Sequence, residues 1–213
     1  MRKALASLFV FMATSAHADS NFLGATLGIC AQSANSIAAV QAPLEAAGWT
    51  VLERTALPDA FVDAMIWTNA AESFFGDAPV ARLPSMLELN ESAIRGLRHK
   101  VDLPESAMRI FLRETEGGPE ALVVYLSNNP AFSVVRCEGV LAEPIFPATA
   151  DFTHSDRVQL RGEPSSDGTM PDAASAFVIS LDRMSLMEKS SRSYVPQTVF
   201  NTYNSFPPNE VPQ

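Results

Sequence analysis

The sequence is poor in the residue types that carry much of enzyme chemistry. It has only two cysteines, Cys30 and Cys137, and three histidines in 213 residues. It contains no C-x-x-C pair for thiol exchange, no G-x-S-x-G turn for a serine nucleophile and no Gly-Lys-Ser/Thr phosphate loop. None of those three chemistries therefore has a sequence motif to support it.

Long apolar segments are also missing after the first 18 residues, where none reaches the roughly 20 residues that a membrane helix needs. Those 18 residues have a pattern of their own: Arg2 and Lys3, an apolar run from Ala4 to Ala13, and small residues in Ala16-His17-Ala18. This pattern is typical of a secretory signal peptide. We expect cleavage after Ala18 and a periplasmic or secreted protein with no integral membrane segment.

The chain has few basic residues, with 15 Lys and Arg against 24 Asp and Glu and a net charge of −9. Cleavage after Ala18 would remove two more basic residues and no acidic one. Such a chain repels nucleic acid and anionic lipid, so we predict no nucleic-acid partner. Length and composition predict three parts: signal peptide 1–18, a single globular domain 19–203, and a flexible proline-rich tail 204–213.

The chain has helical periodicity up to about Lys100. Ile37, Val40 and Leu44 lie at helical spacing, with Pro43 predicting one kinked helix or two short ones. A second, largely buried helix is expected after Pro58. Ser85 and Glu88 have capping-box spacing and predict the start of a third helix.

After residue 107 the period changes to two, which is typical of strands. The segments "MRIFLRE", "ALVVYLS" and "FSVVRCEGVLA" are separated by short turns and predict an antiparallel meander, with a further strand at "AFVISL". The predicted fold is α+β: a sheet of about four to five strands covered on one face by the N-terminal helices.

The two cysteines have several possible roles. In an exported chain they most simply form a disulfide, and strand alternation turns Cys137 inward while Arg136 and Glu138 point to water. Two separate buried thiols, a reactive Cys137 and lipidation at Cys30 are the alternatives. We predict the Cys30–Cys137 disulfide, which would join the first helical region to the sheet.

Two groups of residues are weak candidates for a ligand or metal site. Asp151, His154 and Asp156 lie within six residues and could reach one cation, or could simply belong to a polar loop. Arg95, Arg98 and Lys100 could bind an anion, although cations also stabilise a helix C-terminus without any ligand. No metal and no cofactor is predicted from either group.

Aromatic side chains give a further candidate surface, because Phe111, Tyr125 and Phe74-Phe75 would form either a binding patch or a second core face. The sequence favours an exported, non-enzymatic module that binds a protein or small ligand through the outer sheet face or the loop between Pro147 and Asp172. The alternative is a periplasmic hydrolase, with or without a metal ion, built on Asp151, His154 and Asp156. A structural envelope protein with no small ligand is the third possibility.

Overall fold

A computed structural model describes residues 26, 29–30, 37–74, 82–99, 107–128, 133–144, 158–161 and 174–206. The predicted signal peptide, most of the 147–172 loop and residues 207–213 lie outside the described residues.

The described residues form four helices and seven strands. The helices are α1 (Ile37–Ala46), α2 (Asp59–Phe74), α3 (Leu83–Gly96) and α4 (Arg183–Ser190), with short 3-10 turns at Arg54–Ala56 and Leu97–His99. The strands are β1 (Thr50–Leu52), β2 (Met108–Thr115), β3 (Gly118–Asn128), β4 (Ser133–Leu141), β5 (Val158–Arg161), β6 (Ala174–Ser180) and β7 (Thr198–Phe206).

All seven strands belong to one sheet, in the order β1-β2-β3-β4-β7-β6-β5, and every neighbouring pair is antiparallel. The strands β2, β3 and β4 form the predicted meander. The strand β7, which follows all the others in the sequence, lies inside the sheet between β4 and β6. The α+β prediction is confirmed, with more strands than expected.

The helices follow the apolar pattern of the sequence. Helix α1 is a single helix that contains Pro43, and it buries Ile37, Val40 and Leu44 as their spacing predicts. The chain leaves this helix through Gly48, whose φ of +86° is a backbone angle that favours glycine.

The predicted start of α3 is wrong by three residues, because the N-cap is Arg82 and not Ser85. The helix begins at Leu83, with Pro84 in the first turn, where a missing N–H costs nothing. Ser85 therefore lies inside the helix, and its Oγ donates a hydrogen bond to the carbonyl oxygen of Arg82 (3.0 Å). The capping-box spacing of Ser85 and Glu88 does not cap this helix.

Both faces of the sheet are covered, whereas the sequence predicted cover on one face only. We call one side the helix-pair face; α2, α3 and α4 pack there on side chains that include Ile110, Val123, Val140 and Val199. We call the other the α1 face; α1 and Cys30 pack there on Phe111, Val124, Cys137 and Phe200. Because the central strand β3 buries apolar side chains on both faces, Ala121 and Val123 on one and Leu122 and Val124 on the other, each face needs its own cover.

Strand β7 extends further than the sequence suggested. Ser205 lies opposite Val134 and Phe206 opposite Ser133, so residues 204–206, placed in the predicted tail, pair with β4. The sequence of this strand, "TVFNTYNSF", contains β-branched and aromatic residues that favour a strand. Its three asparagine and serine residues are more typical of loops, which is why the sequence did not predict the strand.

Candidate functional site

The two cysteines form a disulfide, as predicted. Their Cα atoms lie 6.1 Å apart, and both residues are fully buried. Cys137 lies in β4 on the α1 face, so the bond joins the N-terminal helical segment to the middle of the sheet. This buried bond is part of the core of the α1 face.

The residues that flank Cys137 lie on the helix-pair face, but only one of them is substantially exposed. The side chain of Arg136 is 42% exposed and forms an ion pair with Glu138, whose side chain is 12% exposed. The prediction that Glu138 points into water is therefore wrong. It lies opposite Val123, a core residue beneath the helices, and the guanidinium of Arg136 compensates its burial.

A row of cross-strand neighbours crosses the helix-pair face where helix cover ends. Met108 lies opposite Tyr125, Tyr125 opposite Arg136, and Arg136 opposite Tyr203. Directly opposed residues share one face, so these four side chains form one line across β2, β3, β4 and β7. We call Tyr125, Arg136 and Tyr203 the open row.

Exposure increases along this line. Met108 is buried, Tyr125 is half-buried against the helix-pair core, and Tyr203 is 46% exposed. Tyr203 lies on β7, which has strands on both sides, so its exposure is not that of a sheet edge. Burial raises the pKa of the Tyr125 hydroxyl, and the positive charge of Arg136 opposes that shift. The two side chains therefore interact electrostatically along the row.

A buried carboxylate lies at the other end of the sheet, on the α1 face. Glu120 Oε2 accepts hydrogen bonds from Arg113, with Nε at 2.8 Å, and Oε1 accepts one from the backbone N–H of Ala142 (3.1 Å). Arg113 also lies over the ring of Trp49, 5.2 Å from its centroid. Burial raises the pKa of Glu120, against the lowering effect of Arg113. These contacts hold strand ends together within the fold.

A second charged group joins α2, α3 and the segment after α4. Glu91 accepts from Arg192 (2.9 Å) and from Arg95 (3.1 Å), and Arg95 also donates to Asp59 (3.0 Å). Hydrogen bonds from Arg192 and then Arg95 lower the pKa of Glu91. Burial raises the pKa of the neighbouring Asp63.

The three residues of the predicted anion site, Arg95, Arg98 and Lys100, are not seen to form one site. Arg95 is paired with the carboxylates of Glu91 and Asp59. Arg98 lies in the following turn and its Nε donates to His99 Nε2 (3.0 Å). Lys100 lies outside the described residues.

The predicted metal or hydrolase group of Asp151, His154 and Asp156 also lies outside the described residues. Within the described part of the chain, no three His, Cys, Asp or Glu side chains are grouped closely enough to hold a metal ion.

A small cleft opens where β1 ends beside the start of β2. Its volume is about 190 Å³, and the described polar residues that line it are Gln41, Glu53, Arg54 and Arg109. Apolar side chains of β1 and β2 form the remaining wall. Gln41 Oε1 accepts a hydrogen bond from Arg109 Nε (3.2 Å).

Sequence reasoning found part of the open row and missed the rest. Tyr125 was a candidate, but Phe111 is fully buried on the α1 face, and the side chains of Phe74 and Phe75 lie outside the described residues. Arg136 and Tyr203 are 67 residues apart along the chain and become neighbours only through the β4–β7 pairing. The β-branched and aromatic residues of "TVFNTYNSF" were a signal for this strand, and its prediction would have made Tyr203 a candidate neighbour of β4.

Comparison with protein-family models, with curated proteins and with solved structures finds no match for this chain. Among the helices that the structure describes, none is long and apolar enough to cross a membrane.

Proposed function

We propose that this protein is an exported, non-enzymatic binding module that docks a protein partner on the open row. The observation that carries the proposal is the exposure of Tyr203 on a strand that has neighbours on both sides. The proposed export rests on the signal-like first 18 residues, and the buried disulfide is compatible with an oxidising compartment.

The composition of the row suits protein recognition. Tyrosine and arginine are enriched at interface positions that dominate binding energy, because each offers a large contact area together with a hydrogen-bonding group. Arg136 is held by Glu138, which reduces the side-chain entropy that binding would otherwise cost. Since neighbouring strands are about 4.8 Å apart, the two tyrosines are separated by roughly 10 Å across the row.

The shape of the surface favours a protein over a small molecule. Small-molecule sites are concave, whereas a line of side chains across strands forms a broad, shallow surface. The row would be the centre of an interface of about 800 Å² per partner, the usual size for a stable complex.

The charge of the chain favours a basic partner. With a net charge of −9, the protein attracts cationic molecules over long distances and repels acidic ones. At close range, the rings of Tyr125 and Tyr203 offer faces on which a partner arginine or lysine can stack. Arg136 can donate to a backbone carbonyl of the same segment.

Selection of random peptides on the oxidised protein tests the proposal. We expect enrichment of peptides with Arg, Lys and aromatic residues. Truncation of a central tyrosine typically costs 2 kcal/mol or more, so Tyr203→Ala should weaken their binding by about 30-fold. The control is Met184→Ala, because Met184 is 75% exposed on α4, away from the row.

Two results would contradict the proposal. One is a selection that yields no peptide above background. The other is a set of selected peptides that bind Tyr203→Ala and Met184→Ala with the affinity they have for the parent protein.

A further inference from the structure

The Cys30–Cys137 disulfide is enclosed within the α1 face, and the strand register shows what lies beside one end of it. Both cysteines are fully buried. Cys137 lies in β4 directly opposite Val124 of β3 and Thr202 of β7, and both of these residues are also buried. Directly opposed residues share one face of a sheet. Buried neighbours therefore stand on both sides of Cys137 on the α1 face.

The other end of the bond belongs to the same core as helix α1. Cys30 lies in one buried cluster with Ile37, Val40 and Leu44, which are the three side chains that α1 buries. Displacement of α1 would remove apolar contacts from this cluster and open it to water. Helix α1 is therefore part of the cover that keeps the disulfide out of solvent.

The packing next to Cys137 is too close to admit another atom. Gly139 is the next residue of β4 on the α1 face. A single carbon added there would lie 2.7 Å from the carbonyl oxygen of Ala121 and 2.7 Å from the ring of Phe200. Carbon atoms in favourable contact lie about 3.5–4.0 Å apart. A sulfur atom is larger than a carbon atom, so an incoming thiol does not fit beside Gly139.

Formation of a disulfide requires space for a third sulfur. In thiol–disulfide exchange, one cysteine thiolate attacks a sulfur of a donor disulfide, and a mixed disulfide forms as the donor's first thiolate leaves. The second cysteine thiolate then attacks the cysteine sulfur of the mixed disulfide, which completes the protein's bond and releases the donor's second thiolate. The two cysteines lose two electrons and two protons, and the donor gains them as two thiols. Both attacks need an approach to sulfur atoms that the folded protein buries.

We propose that the Cys30–Cys137 bond is formed by a disulfide donor that acts on the incompletely folded chain, and that closure of the α1 face then excludes both sulfurs from further exchange. Two sources share the donor chemistry: the disulfide of a small thiol and the disulfide of a protein dithiol. The bond is thus a permanent part of the fold and not a redox switch. This proposal is independent of the open row and shares with the proposed function only the export into an oxidising compartment.

Reduction of the oxidised protein tests the proposal, because reduction and formation pass through the same mixed disulfide. Alkylation followed by mass spectrometry counts the thiols released by dithiothreitol over time, in native buffer and in urea that unfolds the protein. Rates are normalised to the reduction of oxidised glutathione in the same solution. We expect reduction of the native protein to be at least about 100-fold slower than that of the unfolded chain.

Matched variants test whether the α1 face is the part that must open. Leu44 in α1 and Leu87 in α3 are both fully buried, but they lie on opposite faces of the sheet. Truncation of either leucine lowers the global stability, whereas only Leu44→Ala loosens the cover of the disulfide. Leu44→Ala should therefore accelerate native reduction at least about tenfold more than Leu87→Ala. Val40→Ala in α1 and Val62→Ala in α2 provide the same comparison with smaller truncations.

Refolding distinguishes the two classes of donor. The reduced, urea-unfolded chain is diluted into native buffer with either oxidised glutathione or a protein whose C-x-x-C pair is oxidised, and the donor that yields the disulfide-bonded protein is the accepted class. Three results would overturn the proposal. They are native reduction as fast as reduction in urea, equal acceleration in both variants of each matched pair, and no disulfide-bonded protein from either donor.

Discussion

The two faces of the sheet are closed in different ways. On the α1 face, α1 and the Cys30–Cys137 disulfide lie over a core that contains Phe111 and Phe200. On the helix-pair face, α2 and α3 pack on the sheet without a covalent bond, and the open row lies where their cover ends.

We therefore assign the two faces different roles: the α1 face stabilises the fold, and the helix-pair face carries the proposed binding surface. On the α1 face, a covalent link between segments 107 residues apart has a large effect on the free energy of unfolding. The helix-pair face forms its core without such a link, and Tyr203 on that face is 46% exposed.

Removal of the disulfide should produce the largest loss of stability. The Cys30→Ala/Cys137→Ala protein loses a link across 107 residues, for which the chain-entropy model predicts about 4–5 kcal/mol in the free energy of unfolding. Urea denaturation of the variant, and of the parent protein with and without reductant, measures the loss. Two alkylatable thiols in the unreduced parent protein, seen by mass spectrometry, would contradict the assignment.

Truncation of two aromatic residues of β7 should destabilise the protein to very different extents. Phe200 is fully buried on the α1 face, so Phe200→Ala should cost about 3–5 kcal/mol in the free energy of unfolding. Tyr203 lies on the other face and is 46% exposed, so Tyr203→Ala should cost only about 1 kcal/mol, the size of a cross-strand side-chain contact. Similar losses for both variants in urea denaturation would break the comparison between the two faces.

Adding one methyl group should distinguish the close packing of the α1 face from an open helix end. A Cβ at Gly139 would lie 2.7 Å from the carbonyl oxygen of Ala121 and 2.7 Å from the ring of Phe200. Gly139→Ala should therefore destabilise the protein by about 1–3 kcal/mol. The matched control is Gly96→Ala at the end of α3, where nothing lies within 4 Å and a gain of about 0.5–1 kcal/mol is expected. Thermal denaturation that ranks the two variants in the reverse order would contradict this account.

The pH dependence of stability should have opposite signs for two glutamates. Burial raises the pKa of Glu120 above 4.5, so the folded protein binds a proton at this carboxyl more readily than the unfolded chain does. The resulting contribution to the free energy of unfolding is present below pH 4.5 and is lost as pH rises through the raised pKa. Hydrogen bonds from Arg192 and Arg95 lower the pKa of Glu91, so its contribution is present above pH 4.5 and is lost as pH falls through the lowered pKa.

Glutamine variants measure these two signs. As pH rises from 4 to 7, the free energy of unfolding of Glu120→Gln should rise relative to the parent protein, whereas that of Glu91→Gln should fall. Denaturation at a series of pH values reads out both differences. Slopes of the same sign for the two variants would show that the carboxylates do not differ in this way.

Much of the fold is predictable because local patterns specify it. Ile37, Val40 and Leu44 indicate α1, and alternation along β2 and β4 indicates strands. The parity of Cys137 also predicts which way its side chain points. Parity alone failed for Glu138, because an outward position on one face became an inward position once α2 and α3 covered that face.

The binding surface is less predictable because it depends on non-local pairing. Arg136 and Tyr203 become neighbours only through the β4–β7 register. The cleft likewise depends on where β1 stops relative to β2, and nothing in the sequence around Leu52 specifies that end. Strand order and strand ends are set by tertiary packing, which a single sequence does not display.

Hydrogen exchange with and without a selected peptide is the most direct test of the division between the two faces. The account predicts slower exchange in β3, β4 and β7 around Tyr125, Arg136 and Tyr203, with α1 unchanged, and no such protection in the Tyr203→Ala protein. Protection confined to α1 and its flanking segments, or the same protection in Tyr203→Ala, would contradict it.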